Sequence, residues 1–251
     1  MSTPSTPSTP LVSFADTGMT FDGGTTALTG VSVDVRPGEF ISVVGPSGCG
    51  KSTLLRLASG LETATDGVMT TSTDRIAYVF QDATLLPWRS VKDNVLLLGE
   101  LDHLPRAEQE KRCTEALETV GLTGFEDHLP HQLSGGMKMR VSLARALTIE
   151  PELFLFDEPF AALDEITRER LGVELTQLFA EKGFGGLFIT HSVSEAVFIS
   201  TQVAVMSGRP GTIVDVVDVP FDFPRSPELR FTPEFTAIAE RVSTSLMAAH
   251  S

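Results

Sequence analysis

Short apolar runs punctuated by glycine and polar segments shape the first part of the chain, and a 3.6-residue repeat takes over in the middle. From about 11 to 35, β-favouring residues are broken by turns, with Asp22-Gly23-Gly24 a clear hairpin signal. Phe40-Ile41-Ser42-Val43-Val44 has the length and apolar content of a buried strand. Residues 52–58 carry helix formers with no breaker before Gly60, and residues 76–80 read as another strand. Between about 91 and 147 the pattern is helical: Cys113, Ala116, Leu117 and Val120 recur at i, i+3, i+4 and i+7, and Gly121 stops the run. Strands are predicted again at 153–156 and 187–190, with a charged helical stretch between them. A further pair at 203–206 and 213–217 flanks a turn at 207–211. The chain closes on a helix capped by Thr232, with Pro233 at its first position and Phe235, Ile238, Ala239, Val242 and Leu246 on one face. Strands interleaved with helices, plus one helical block, predict an α/β core with a helical insertion.

Length and composition narrow the function classes. At 251 residues, 41% of them hydrophobic, the chain can bury a substantial core. Lys+Arg 19 against Asp+Glu 33 leaves a formal charge of −14, the wrong sign for a protein whose main partner is a nucleic acid. The two cysteines, Cys49 and Cys113, are expected to be reduced thiols. No apolar run approaches the roughly 18 residues needed to cross a bilayer. The Ser/Thr/Pro segment of residues 1–10 has neither the basic nor the apolar region of a signal peptide and is expected to be disordered. Any membrane association must therefore run through a partner.

Candidate chemistry begins at Gly45-Pro46-Ser47-Gly48-Cys49-Gly50-Lys51-Ser52-Thr53, which fits the phosphate-loop pattern G-x-x-x-x-G-K-[ST]. Strand, glycine loop and helix stand in the order that the chemistry requires. The glycines permit a tight turn that aims N–H groups inward, and the helix start adds partial positive charge. Lys51 is expected to bridge the β- and γ-phosphates of a nucleotide, Ser52 to ligate Mg²⁺, and Thr53 to donate to the α-phosphate. The plainer alternative is a glycine turn that binds nothing, disfavoured by the Lys-Ser pair and the flanking elements.

Other polar groups sit at the ends of predicted strands. Asp157 and Glu158 follow the apolar run 153–156, a costly place for two carboxylates unless they act. Asp157 is expected to hold Mg²⁺ through water, and Glu158 to polarise the attacking water as general base. Gln81 ends the strand at 76–80 and suits either Mg²⁺ or that water. His191 ends the strand at 187–190, where it could contact the γ-phosphate. Ser134 before Gly135, Gly136 and a helix is a ready anion site, and equally a well-capped helix. Phe21, beside the hairpin turn, could stack on a base or belong to the core. Trp88, the single tryptophan, lies next to Pro87 and could mark a contact surface or plug the local core.

Together these pieces resemble the nucleotide-binding subunit of an ABC transporter, over essentially everything from about residue 11 onward. The most specific element is Leu133-Ser134-Gly135-Gly136, at the right distance before 153–158. The resemblance implies a P-loop NTPase (RecA-like) core with an N-terminal antiparallel β subdomain and an inserted α-helical subdomain. It places the ATPase domain at 11–251, the helical subdomain at about 91–147 and a C-terminal helical tail at about 220–251. It also implies a head-to-tail homodimer sandwiching two ATP molecules, in which Ser134, Gly135, Gly136 and Met137 act on the nucleotide held by the other subunit. Carried over by motif, Gln81 matches the Q-loop, Asp164 the D-loop, His191 the switch histidine and Phe21 the adenine-stacking aromatic. Ser52, Gln81 and Asp157 form the Mg²⁺ set. The sequence departs from the family's pattern at Met137 and Met139, where glutamines are common.

A narrower resemblance, carried by residues 85–95 and 206–211, is to importers of the nitrate, sulfonate and taurine group, some of whose relatives carry pyrimidine-type vitamin precursors. It implies ATP-driven import of a small solute by a peripheral subunit on the cytoplasmic face of the membrane. The partners would be two permease chains, contacted through Leu86 and Trp88, and indirectly a solute-binding protein. The rival reading is a soluble ABC ATPase without a transport role; such proteins carry paired ATPase units or a long coiled coil, and this chain shows one phosphate loop and no sustained heptads.

Overall fold

A computed structural model describes residues 9–249; most of the Ser/Thr/Pro segment predicted at 1–10 lies outside the described residues. The first hairpin forms where the sequence places it. Strands β1 (Val12–Thr20) and β2 (Thr26–Val35) pair antiparallel across a turn in which the Gly24 amide donates to the Phe21 carbonyl at 2.8 Å. Strand β3 (Phe40–Val44) leads into helix α1 (Lys51–Ala58). Strand β4 (Asp66–Thr71) then returns to the free edge of β1, giving a three-stranded sheet in the order β2-β1-β4. The antiparallel layer is therefore completed by a strand from beyond the phosphate loop, which the sequence reading did not foresee.

The second sheet holds β5 (Ile76–Val79), β6 (Leu153–Asp157), β7 (Gly185–Ile189), β3, β8 (Gln202–Met206) and β9 (Ile213–Asp218), in the order β5-β6-β7-β3-β8-β9. Every pairing is parallel except β8 with β9. A parallel sheet covered on both faces needs apolar side chains on both, which is why these strands read as continuous apolar runs. On one face Phe40, Phe154, Phe156 and Phe188 pack into an aromatic cluster with helices α5 (Glu165–Lys182), α6 (Val193–Ile199) and α7 (Pro233–Ala248). A Cβ on Gly186 would lie 2.6 Å from the Phe40 ring, so only glycine lets this ring lie flat on β7. On the other face Ile41, Val43, Leu155 and Leu187 meet α1 and the antiparallel sheet.

Between β5 and β6 the chain forms α2 (Val91–Leu101), α3 (Arg106–Thr119) and α4 (Gly135–Leu147). They share a cluster of their own, with Val91, Val95, Cys113, Leu117, Val141 and Ala144 buried. Helix α4 also turns Met139 and Ala146 toward the aromatic face of the large sheet, joining the two. Side-chain caps set three helix starts here and at the C-terminus: Ser90 accepts from the Asp93 amide, Ser134 from Met137 and Thr232 from Phe235.

Candidate active site

The carboxyl ends of β3, β5, β6 and β7 open on one side of the sheet, and the polar residues singled out in the sequence gather there. The phosphate loop turns through Gly48 at φ +75° and Gly50 at φ +108°, conformations that favour glycine. Lys51 is only 6% exposed, and its ammonium donates to the carbonyls of Gly45 and Pro46, each at 2.9 Å. The positive charge is thereby centred within the loop. Cys49 is buried beside it, and burial pushes its thiol pKa up, which disfavours the reactive thiolate.

Two adjacent carboxylates arrive on β6. Asp157 takes the Ser52 hydroxyl on Oδ1 and the Tyr78 hydroxyl on Oδ2, both at 3.1 Å. Burial first, then the Asp157 charge and the hydrogen bond to it, raise the Tyr78 pKa and keep the phenol protonated as donor. Glu158 has φ +47°, an uncommon conformation for a side-chain-bearing residue, yet its amide still reaches the Ile189 carbonyl at 3.0 Å. Because Asp157 pairs with Ile189 across β6 and β7, the residues that follow are brought face to face: Glu158 Oε2 lies 3.3 Å from Nδ1 of His191.

Gln81 is exposed just beyond β5, after Phe80, which leaves the predicted strand one residue early and stacks on Tyr78 at a ring separation of 4.2 Å. Further along, Trp88 is 74% exposed, so it does not plug the local core. The loop carrying it is held by Asn94, a fully buried amide whose Oδ1 accepts from the Leu86 amide at 2.8 Å. Its Nδ2 donates to the carbonyls of Leu86, Arg89 and Ser90.

The other sequence-predicted groups stand apart from the phosphate loop. Ser134 and Gly135 are exposed at the start of α4, and among the described residues no hydrogen bond joins Ser134 to the 45–53 loop. A Cβ on Gly136 would fall 2.5 Å from Cγ2 of Thr167, so glycine lets α4 approach the start of α5. There Asp164 accepts from the Thr167 amide at 3.0 Å, and the amide and hydroxyl of Thr167 hold its carboxyl below the usual range. Met137 packs on the helical cluster and Met139 on the large core, so both departures from glutamine serve apolar surroundings. Phe21 stands at the tip of the first hairpin, 36% exposed rather than in the core.

Sequence reasoning assigned no role to Tyr78, Arg209 or Asn94. The Arg209 side chain reaches from the β8–β9 turn and donates through Nε to the Gly48 carbonyl at 3.1 Å. Tyr78, the chain's one tyrosine, lies on a strand already recognised, one residue before its end, and that position was its available signal.

This arrangement supplies a phosphate cradle, oxygen donors for a cation, and a carboxylate paired with a histidine beside them. A family model described as "ABC transporter" matches residues 28–161. The nitrate import ATP-binding protein NrtD of Synechococcus elongatus is 44% identical over 241 residues, covering 90% of this chain and 88% of that protein. The aliphatic sulfonates import ATP-binding protein SsuB of Bacillus licheniformis is 40% identical over 225 residues, covering 87% of this chain and 86% of that one. Among solved structures, a dimeric ATP-binding cassette in a post-hydrolysis state bound to ADP and Pi superposes with TM-score 0.73 at 30% identity, covering 84% of this chain and all of that one. With a P-loop fold, a phosphate loop in place and these relatives spanning most of its length, the chain belongs to the ABC transporter family, as an ATP-binding subunit that hydrolyses ATP.

Proposed function

We propose that this subunit powers import of a small solute of the nitrate, sulfonate and taurine type, or of a pyrimidine precursor, as one of two identical ATPases under a pair of permease chains. The observation that carries the catalytic part is the convergence of Ser52 on Asp157 and of His191 on Glu158 beside the phosphate loop. Lys51 and the loop amides bind the phosphates, and Glu158 accepts the proton of the attacking water while His191 holds its carboxylate and the γ-phosphate in register. The Asp157 carboxylate, the Ser52 hydroxyl and the Gln81 amide are hard oxygen donors of the kind Mg²⁺ takes. When bound, the cation neutralises charge on the β- and γ-phosphates. Phe21 stacks on adenine, and Ser134, Gly135, Gly136 and Met137 of one copy close over the nucleotide of the other. That role fits the exposure of Ser134 and Gly135 at the start of α4.

Asp164 and the 81% exposed Ile166 lie on the surface at the start of α5, available to the second copy. The helices of 91–147 form the inserted unit of the 11–251 ATPase domain, and 220–251 its C-terminal extension. Among the described residues no helix is long and apolar enough to cross a membrane. Contact with the cytoplasmic side of the membrane then runs through permease chains seated on Leu86 and Trp88.

The test is Glu158→Gln in the full chain. ATP binding should persist, turnover should fall by roughly a hundredfold or more, as expected on losing a general base, and light scattering should show an ATP-dependent dimer. Near-normal hydrolysis would remove Glu158 as the base. Pull-down of the same variant from solubilised membranes should bring a multi-span protein in near-equal amount. Ribosomal or DNA-repair partners alone would instead support a cassette without a transport role.

A further inference from the structure

The residue that links the start of α5 to the catalytic histidine is Arg168, one turn into that helix. Its guanidinium folds back so that Nη2 donates to the carbonyl of Leu163, the residue before Asp164, at 3.1 Å. Its Nε lies 3.2 Å from Oε1 of Glu195. Glu195 is 8% exposed, and its other oxygen accepts the Thr190 hydroxyl at 2.5 Å. The same Thr190 Oγ1 accepts the Ser192 amide at 3.0 Å, while Ser192 Oγ caps α6 by accepting the Glu195 amide at 3.3 Å. Both neighbours of His191 in the chain are thus tied to Glu195, and Glu195 to Arg168.

This is an expensive fastening. Apolar groups of similar size would hold α5 to α6 at no desolvation cost, whereas a buried carboxylate must be compensated by charge and hydrogen bonds. The guanidinium spans both sides: Nη2 hydrogen-bonds the segment before Asp164, and the charge faces, at 3.2 Å, the carboxylate that holds the 190–192 backbone, with the Nε–H itself not aligned on that oxygen. We propose that Arg168 is a positioning residue that makes the 163–164 segment and His191 move as one. Any displacement of the exposed α5 start is thereby passed to the imidazole and so to Glu158. The proposal rests on the reading of Glu158 and His191 given above.

The experiment is steady-state and single-turnover ATP hydrolysis by the full chain, with thermal midpoint and nucleotide affinity measured in parallel. Arg168→Ala should lower kcat by about tenfold or more with KM within roughly twofold, the pattern of an interaction realised in the transition state. Glu195→Gln keeps an acceptor for Thr190 and removes the charge facing Arg168, so it should show the same split. Arg168→Lys keeps the charge facing Glu195 but loses the Nη2 bond to the Leu163 carbonyl, and should fall between. In a His191→Ala background, Arg168→Ala should cost little more, because a residue acting through His191 has nothing left to position. Losses that multiply in the double variant would overturn the proposal, as would unchanged kcat in both Arg168→Ala and Glu195→Gln. Should Arg168→Ala fail to fold, Arg168→Lys and Glu195→Gln carry the same comparison. If His191→Ala and Glu158→Gln themselves hydrolyse ATP normally, the catalytic assignment fails; if they are inactive while the Arg168 variants are normal, only the coupling fails.

Discussion

Asn94 shows how much one buried amide can organise. It satisfies the Leu86 amide and carbonyls at 86, 89 and 90, and so fixes a loop whose tip is an exposed tryptophan. Asn94→Ala should destabilise the fold by about 2–3 kcal/mol, because partners at a buried site are left unpaired; the denaturant midpoint measures it. Gly136→Ala places a methyl against Thr167 and should cost about 1–3 kcal/mol by overpacking, read the same way, whereas exposed Gly135 should tolerate the change better. The residues of the phosphate loop, Asp157, Glu158 and His191 could be picked out of the sequence because each ends or follows a predicted strand. Their contacts could not. The approach of Glu158 to His191 depends on the β6–β7 register, a pairing between segments far apart in the chain. Asn94 gave no sign, and Tyr78 only its place near a strand end, because a single polar residue acquires its partners only through tertiary packing.

Among the elements, those with a clear period were legible and two without one were not. Helix α6 has seven residues, five of them buried, so no polar face marks it. Strand β4, Asp66–Thr71, is almost wholly exposed and has no alternation to read; it exists because β1 offers an unpaired edge. The N-terminus of α5 carries a prediction of its own. Since the Thr167 amide and hydroxyl lower the folded pKa of Asp164, its contribution is present above the ordinary aspartate pKa, near 4, and is lost as pH falls through the lower folded value. Asp164→Asn keeps an acceptor without the titration. The melting-temperature difference between wild type and this variant should therefore narrow as pH is lowered below about 4, and a difference that stays constant would exclude the carboxylate as its source.

For the whole molecule, surface apolar groups are as telling as the core. Leu61, Phe80 and Trp88 are all exposed, the first two beside the groove that also contains Ser52 and Asp157. Contiguous exposed apolar groups mark contact surfaces, and Leu61 and Phe80 share one groove. Trp88→Ala should leave ATP affinity and melting temperature nearly unchanged while reducing the permease recovered in pull-down; unchanged recovery and unchanged transport would remove this loop as the contact. The overall α/β class followed from alternating periods and the separate antiparallel layer from the family resemblance, but the recruitment of β4 into that layer did not, because which strands share a sheet is decided by long-range pairing.

The position of β3 in the middle of its sheet bears on how the protein is made. The strand that carries the phosphate loop is synthesised early, yet Phe40 pairs with Gly186 and Ile41 with Gln202, so its neighbours on both sides emerge late. An unfinished chain owns the entire loop sequence and lacks the shelf that holds it open. Nascent chains stalled before β7 should fail to retain a fluorescent ATP analogue that released full-length chains retain. A chain that stops short of β7 should thus carry the phosphate-loop sequence without the sheet that makes it a binding site.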